Sequence, residues 1–217
     1  MTKLEEMAAF FEARLDGYEK QMTENVQGCR EAYALIPTLL PAHTEALLDL
    51  GCGTGLELDG IFARFPHAHV TGIDLSHGML AELKRRHTGR DIELICANYF
   101  DVPLGLARFN AAVSVESLHH FEKRQKQQLY SRLHAALCEG GVYVECDYMV
   151  DTQAEEDALF AAYAQLRLAQ AIPEGMLCHF DTPCSVNNQI ALLREAGFTA
   201  VTQVMRIGGT AVLVAHK

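Results

Sequence analysis

No apolar run in the 217-residue sequence approaches the ~18 residues needed to cross a membrane. The opening residues, Met1-Thr2-Lys3-Leu4-Glu5-Glu6, turn acidic at once and hold no apolar signal core, so a cytoplasmic protein is expected. Positive charge is scarce: 18 Lys and Arg stand against 28 Asp and Glu, a formal net charge of −10. Such a balance lacks the basic footprint of a nucleic-acid binder and leans toward a small-molecule partner. The one basic cluster, Lys84-Arg85-Arg86-His87 with Arg90, closes an expected helix, where cations suit the helix dipole. The seven cysteines (Cys29, Cys52, Cys96, Cys138, Cys146, Cys178 and Cys184) show no paired ligand spacing, so no metal site is expected and the thiols read as free. Repeats, low-complexity stretches and flexible linkers are missing too. One α/β domain over 1–217, with a large core, is the expected answer for this length and a mean hydropathy of +0.02.

What is present is concentrated in two segments. Leu47-Leu48-Asp49-Leu50-Gly51-Cys52-Gly53-Thr54-Gly55 reads as a buried strand that breaks into a glycine-rich turn and enters a helix. Val70-Thr71-Gly72-Ile73-Asp74 reads as a second strand ending on a carboxylate. Glycines let backbone pass close to a ligand, and a strand-end acid can accept from two ribose hydroxyls. The pair therefore describes a pocket for a nucleoside-bearing cofactor. A dinucleotide fingerprint, G-x-G-x-x-G, would need a third glycine where Leu56 stands. The spacing disfavours an NAD-dependent oxidoreductase.

The pattern D-x-G-x-G-x-G, from Asp49 to Gly55, resembles motif I of the class I S-adenosylmethionine-dependent methyltransferases. The resemblance runs from about residue 46 to the C-terminus. It takes in Leu75-Ser76-His77-Gly78-Met79-Leu80, Cys96-Ala97-Asn98-Tyr99, Val115-Glu116-Ser117-Leu118-His119-His120-Phe121, Glu139-Gly140-Gly141-Val142 and Ala196-Gly197-Phe198. It implies S-adenosylmethionine as methyl donor. Asp49, Gly51, Cys52, Gly53 and Gly55 would then handle the zwitterionic end of that cofactor, Asp74 the ribose, and Leu75 and Met79 the adenine. Asn98 stands where the family has an Asp that accepts from the adenine amino group; an amide oxygen still accepts. Tyr99 and Glu116 fall beside the same cofactor, Glu116 near its methionine portion.

Alternating strand and helix signals predict a doubly wound, mostly parallel seven-stranded sheet with helices on both faces. Strands are expected near 46–50, 69–73, 92–96, 109–115, 141–147, 198–206 and 210–216, and helices over 55–65, 77–87, 123–138, 153–170 and 185–196. Ile207-Gly208-Gly209-Thr210 joins the last two strands as a hairpin, which makes one strand near the edge antiparallel. Residues 1–40 lie outside the sheet. Leu4, Met7, Ala8, Phe11 and Leu15 predict an amphipathic helix, and a second helix is expected from about Glu24 to Leu40, interrupted near Pro37. Residues 148–185 insert a helix and loop. Ligands of open α/β sheets sit beyond the carboxyl ends of the strands, so both segments are candidate lids.

Methyl transfer needs a nucleophile held in line and, for an un-ionised acceptor, a group that takes a proton. His119 and Asp147 are the candidate catalytic residues. His119 follows the fourth strand at the active-site lip, and Asp147 follows the fifth, two residues after Glu145 on the same face. His120 can equally pack or bond locally. Tyr18, Tyr33, Tyr148 and His179 are candidate substrate or lid residues, with Asp181 beside His179. A methyltransferase acting on tRNA or protein, and a non-catalytic cofactor-binding protein, remain alternatives. Monomer and homodimer are both compatible with the N-terminal amphipathic segment.

Overall fold

The computed structural model describes residues 3–217. Its centre is a seven-stranded sheet built on β2 (Ala46–Leu50). Parallel neighbours flank this strand: β3 (His69–Asp74) on one side and β5 (Phe109–Val115) on the other. In register, Leu47 faces Val70 and Ala111. A parallel strand covered on both faces should be apolar throughout, and Leu47, Leu48 and Leu50 are fully buried. Leu48 and Leu50 join the core under α5 (Lys123–Ala136), with Leu129 and Leu133. Leu47 joins the opposite core, with Leu58, Ile61 and Phe62 of α3 (Leu56–Arg64).

The sheet order is β4-β3-β2-β5-β6-β9-β8, with β4 at Ile92–Cys96, β6 at Leu137–Tyr148, β8 at Ala200–Ile207 and β9 at Thr210–His216. Only β9 runs against its neighbours, pairing antiparallel with β6 and β8. The winding proceeds outward from β2 to β4, then restarts on the other side at β5. That reversal opens a crevice at the carboxyl ends of β2 and β5, where the Gly51 turn and the Glu116–His120 lip emerge.

The elements depart from expectation in three places. The fifth strand starts at Leu137 instead of near 141, because α5 stops at Ala136 and the chain continues extended. The first N-terminal helix is short: β1 (Glu5–Glu6) precedes α1 (Met7–Glu12), and helical turns cover Tyr18–Lys20 and Gln21–Asn25. β1 pairs with β7 (Cys178–His179) of the insertion, and this pairing takes residues 5 and 6 out of the helical pattern. The next helix, α2 (Cys29–Leu39), begins after Gly28 at φ +86° and passes through Pro37 without stopping. Packing accounts for this: a Cβ on Gly60 of α3 would sit 2.8 Å from Pro37 Cγ, so the ring seats closely on a bare glycine. The insertion contributes α6 (Gln153–Ala169), and α7 (Val186–Glu195) returns the chain to the sheet; α4 (His77–Arg86) links β3 to β4.

Candidate active site

Asp74 closes β3 and holds the glycine turn of the neighbouring strand. Its Oδ2 accepts from Gly53 N at 2.9 Å and its Oδ1 from Ser76 N at 2.8 Å. Gly51 and Gly53 have φ of +71° and +47°, a region that favours glycine. A Cβ on Gly51 would lie 2.1 Å from Ser117 Oγ, and one on Gly53 would meet Tyr18 Oη at 3.6 Å. The turn is thus a bare-backbone cradle. Around it lie Asp74, Leu75, Met79, Tyr99, Glu116 and Phe121, enclosing a cleft of about 50 Å³. Tyr99 Oη bonds Ser117 Oγ at 3.1 Å across its floor.

The N-terminal segment roofs this cleft. Tyr18 and Phe11 line it, and the Glu12 carboxylate accepts from Ser76 Oγ at 2.6 Å and from Gly78 N at 3.1 Å at the start of α4. Admission of a nucleoside-sized ligand requires these side chains to shift.

Not every expected cofactor residue reaches the cleft. Asp49 is buried below the turn, and neither of its carboxylate oxygens has a hydrogen-bond partner among the described residues. Burial, then the charge of Glu57, pushes its carboxyl well up. Cys52 packs under Gly72 in the apolar core. Asn98 spends its amide on a local turn, donating to Asp101 Oδ2 at 3.0 Å and accepting from Phe100 N at 3.1 Å. Tyr33 packs in a satellite core with Met22, Cys29 and Leu56. Gly55 starts α3 at φ +71°, where a Cβ would meet Leu83 Cγ at 2.9 Å and His87 Nε2 at 3.1 Å. Gly55→Ala is therefore expected to lower stability by roughly 1–3 kcal/mol through backbone strain. Urea unfolding measures it, and an unchanged midpoint would contradict the tight packing.

Glu116 separates this cleft from a larger cavity of about 900 Å³, lining both. It adopts φ +48°, strained for a residue with a side chain. Its Oε1 accepts from Thr210 Oγ1 at 3.0 Å and Cys29 Sγ at 3.6 Å. Burial lifts its carboxyl to about 7, while His119 pulls it down and Asp147 pushes it up.

His119 and Asp147 meet beside it. Asp147 Oδ1 accepts from His119 Nδ1 at 2.5 Å and from Tyr148 N at 3.1 Å. The bond places the Nδ1 proton against the carboxylate and leaves Nε2 on the side of Asp181, whose Oδ1 is 3.6 Å away. Burial disfavours an imidazolium here, but Asp147, then Glu116 and Asp181, outweigh it and raise His119 to about 9. His120 goes the other way: burial, reinforced by His119, lowers it to about 4. The inserted loop is tied to this lip, since Thr182 N donates to His119 O at 2.6 Å. Tyr148, His179 and Asp181 line the larger cavity, as do Phe11 of the expected N-terminal lid and Phe10 and Thr210, which carry no local signal in the sequence. Such a site offers a bare cradle for a nucleoside cofactor and, next door, a carboxylate-backed imidazole.

A family profile described as a methyltransferase domain matches residues 47–141. An O-methyltransferase of Penicillium expansum is 31% identical over 191 residues, covering 84% of this chain and 62% of that protein. These likenesses support a class I S-adenosylmethionine-dependent methyltransferase. An uncharacterized methyltransferase of Mycobacterium tuberculosis is 32% identical over 108 residues, 50% of this chain and 53% of its own length. The chain spans roughly half to three-fifths of the length of these curated relatives. The fold is shared with human N-acetylserotonin methyltransferase, solved in complex with S-adenosylmethionine, at a TM-score of 0.65, 16% identity and coverage of 97% of this chain and 56% of that one. The cradle at Gly51, Gly53 and Asp74 fits that cofactor: its glycines admit close backbone approach and its apolar flank suits a purine.

Proposed function

We propose that the chain transfers the methyl group of S-adenosylmethionine to an oxygen of a small molecule. The observation that carries this reading is the Asp147–His119 contact, set in a cavity that shares Glu116 with the cofactor cleft. When bound, S-adenosylmethionine supplies an electrophilic methyl group on its sulfonium. The protein's part is to orient the acceptor and take its proton. Asp147 fixes the His119 tautomer so that Nε2 receives the hydroxyl proton, and the carboxylate stabilises the imidazolium that results. Residues 5–26 and 148–185 form the lid that keeps this site dry. The acidic chain supports a small-molecule acceptor over RNA, and the fungal O-methyltransferase supports oxygen as the acceptor atom. No helix among the described residues is long and apolar enough to cross a membrane.

Calorimetric titration with S-adenosylmethionine and S-adenosylhomocysteine, with NAD as control, tests the cofactor. Micromolar binding of the first two and none of NAD is expected. Silence toward both sulfur compounds by folded protein would sink the reading. A steep salt dependence of binding to tRNA would instead favour a nucleic-acid acceptor.

A further inference from the structure

The larger cavity has a definite chemical character. Its wall between lid and lip is a run of rings. Phe10 stacks on His179 with centroids 3.5 Å apart and planes 9° from parallel. His179 lies 4.7 Å from His120, His120 lies 3.9 Å from His119, and His119 lies 5.9 Å from Tyr148. Aromatic faces and edges of this kind favour a flat ring over a puckered one.

Three carboxyls line the wall: Asp16, Asp181 and Glu116, the last lifted by burial to about 7 and so only part-ionised near neutral pH. Asp16 makes no ion pair among the described residues. Burial opposes ionisation of Asp181, yet the imidazoles of His120, His119 and His179 hold it down at about 2, so it carries its charge. The cationic groups at hand are committed. Arg14 pairs with Glu5 at 3.0 Å and lies over the Phe10 ring at 3.6 Å, and the protonated form of His119, which the reaction produces from the neutral base, is held by Asp147. The whole chain adds to this field with its net charge of −10.

We propose that this cavity takes a flat phenol that is neutral or cationic, and excludes acceptors bearing a carboxylate. The inference rests on the methyltransferase reading and names the acceptor class for it. A cationic tail meets Asp16 and Asp181, whereas a carboxylate meets like charge at both, an exclusion built from repulsion. Proton transfer agrees with the ring preference. A phenol near ~10 lies about one unit from His119, while an aliphatic hydroxyl close to water's ~15.7 is far out of its reach. In the step itself the phenol O–H bond breaks, its proton goes to His119 Nε2, a new O–CH₃ bond forms and the sulfonium C–S bond breaks to leave the neutral thioether.

The test is calorimetry with the S-adenosylhomocysteine-loaded protein and four probes: tyramine, 2-naphthol, 4-hydroxybenzoate and cyclohexanol. Tyramine and 2-naphthol are expected to bind, with 4-hydroxybenzoate at least about tenfold weaker than tyramine. In Asp181→Asn the tyramine-to-hydroxybenzoate ratio is expected to fall several-fold while 2-naphthol binding holds, which separates charge selection from a misfolded site. Equal or tighter binding of 4-hydroxybenzoate, cyclohexanol matching 2-naphthol, or no probe binding to loaded protein would each overturn the proposal. Failure to load S-adenosylhomocysteine would instead strike the methyltransferase reading beneath it.

Discussion

Replacing His119 by Ala is expected to lower kcat/KM for methyl transfer by about 10²–10⁴, the usual worth of a positioned general base. The dissociation constant for S-adenosylhomocysteine should stay within about twofold, because Asp74 and the glycine turn lie on other elements. The pH profile carries a second signature. The base is the neutral ring, and His119 is held at about 9 against the pull of burial. Below that value the neutral fraction falls tenfold per pH unit, so kcat/KM should climb with pH and level off above about 9. Asp147→Asn removes the anion that most strongly raises His119. Burial then dominates and the acid limb moves to lower pH, while the plateau drops because the amide no longer enforces the productive tautomer. A profile unmoved by Asp147→Asn, or full activity in His119→Ala, would remove His119 from the chemistry.

Asp74→Ala is expected to weaken S-adenosylhomocysteine binding at least tenfold. The carboxylate has two tasks. It secures Gly53 N and Ser76 N, at 2.9 and 2.8 Å, and it would receive the ribose hydroxyls. Hydrogen bonds to a charged group contribute ~1.5–3 kcal/mol, which corresponds to about 10- to 150-fold in affinity. Asp74→Asn should fall between the two, since one amide oxygen still accepts. Calorimetry decides it, with a urea titration alongside to show that the loop, and not the fold, has been loosened.

The sheet was legible because its signals are local. Leu47, Leu48 and Leu50 supply the apolar character of a doubly covered strand, with Asp49 its one charged residue, and the glycine turn and strand-end acid mark the crevice directly. The hairpin at Gly208-Gly209 disclosed the single reversed strand. The N-terminal segment was misread because its apolar spacing is helical while a tertiary pairing, β1 on β7, takes residues 5 and 6. Pro37 misled for the same reason: a bare Gly60, far along the chain, accommodates it. His119 and Asp147 stood out by their places at the ends of adjacent strands, Asp147 falling within the end of β6 rather than after it, and the fold brings the two side chains together. Phe10 and Thr210 did not stand out, since only folding carries them to the cavity. Asn98 shows the converse: its position matched a family role, but a turn inside residues 98–101 already engages both ends of its amide.

The roof over the cleft is fastened lightly. β1 and β7 share two residue pairs, Met7 N donates to Leu177 O at 3.0 Å, and Glu12 grips the start of α4. The central strands are secured on both edges and both faces. Opening the roof therefore breaks a handful of contacts and withdraws Met7 and Phe11 from the edge of one core, while the packing of helices on the sheet stays in place. Amide protons of residues 5–26 should exchange with solvent by this partial opening, and those of β2 and β5 only through complete unfolding. Such local opening belongs to the microsecond-to-second range, so departure of the spent cofactor, and with it the turnover rate, becomes a property of the roof.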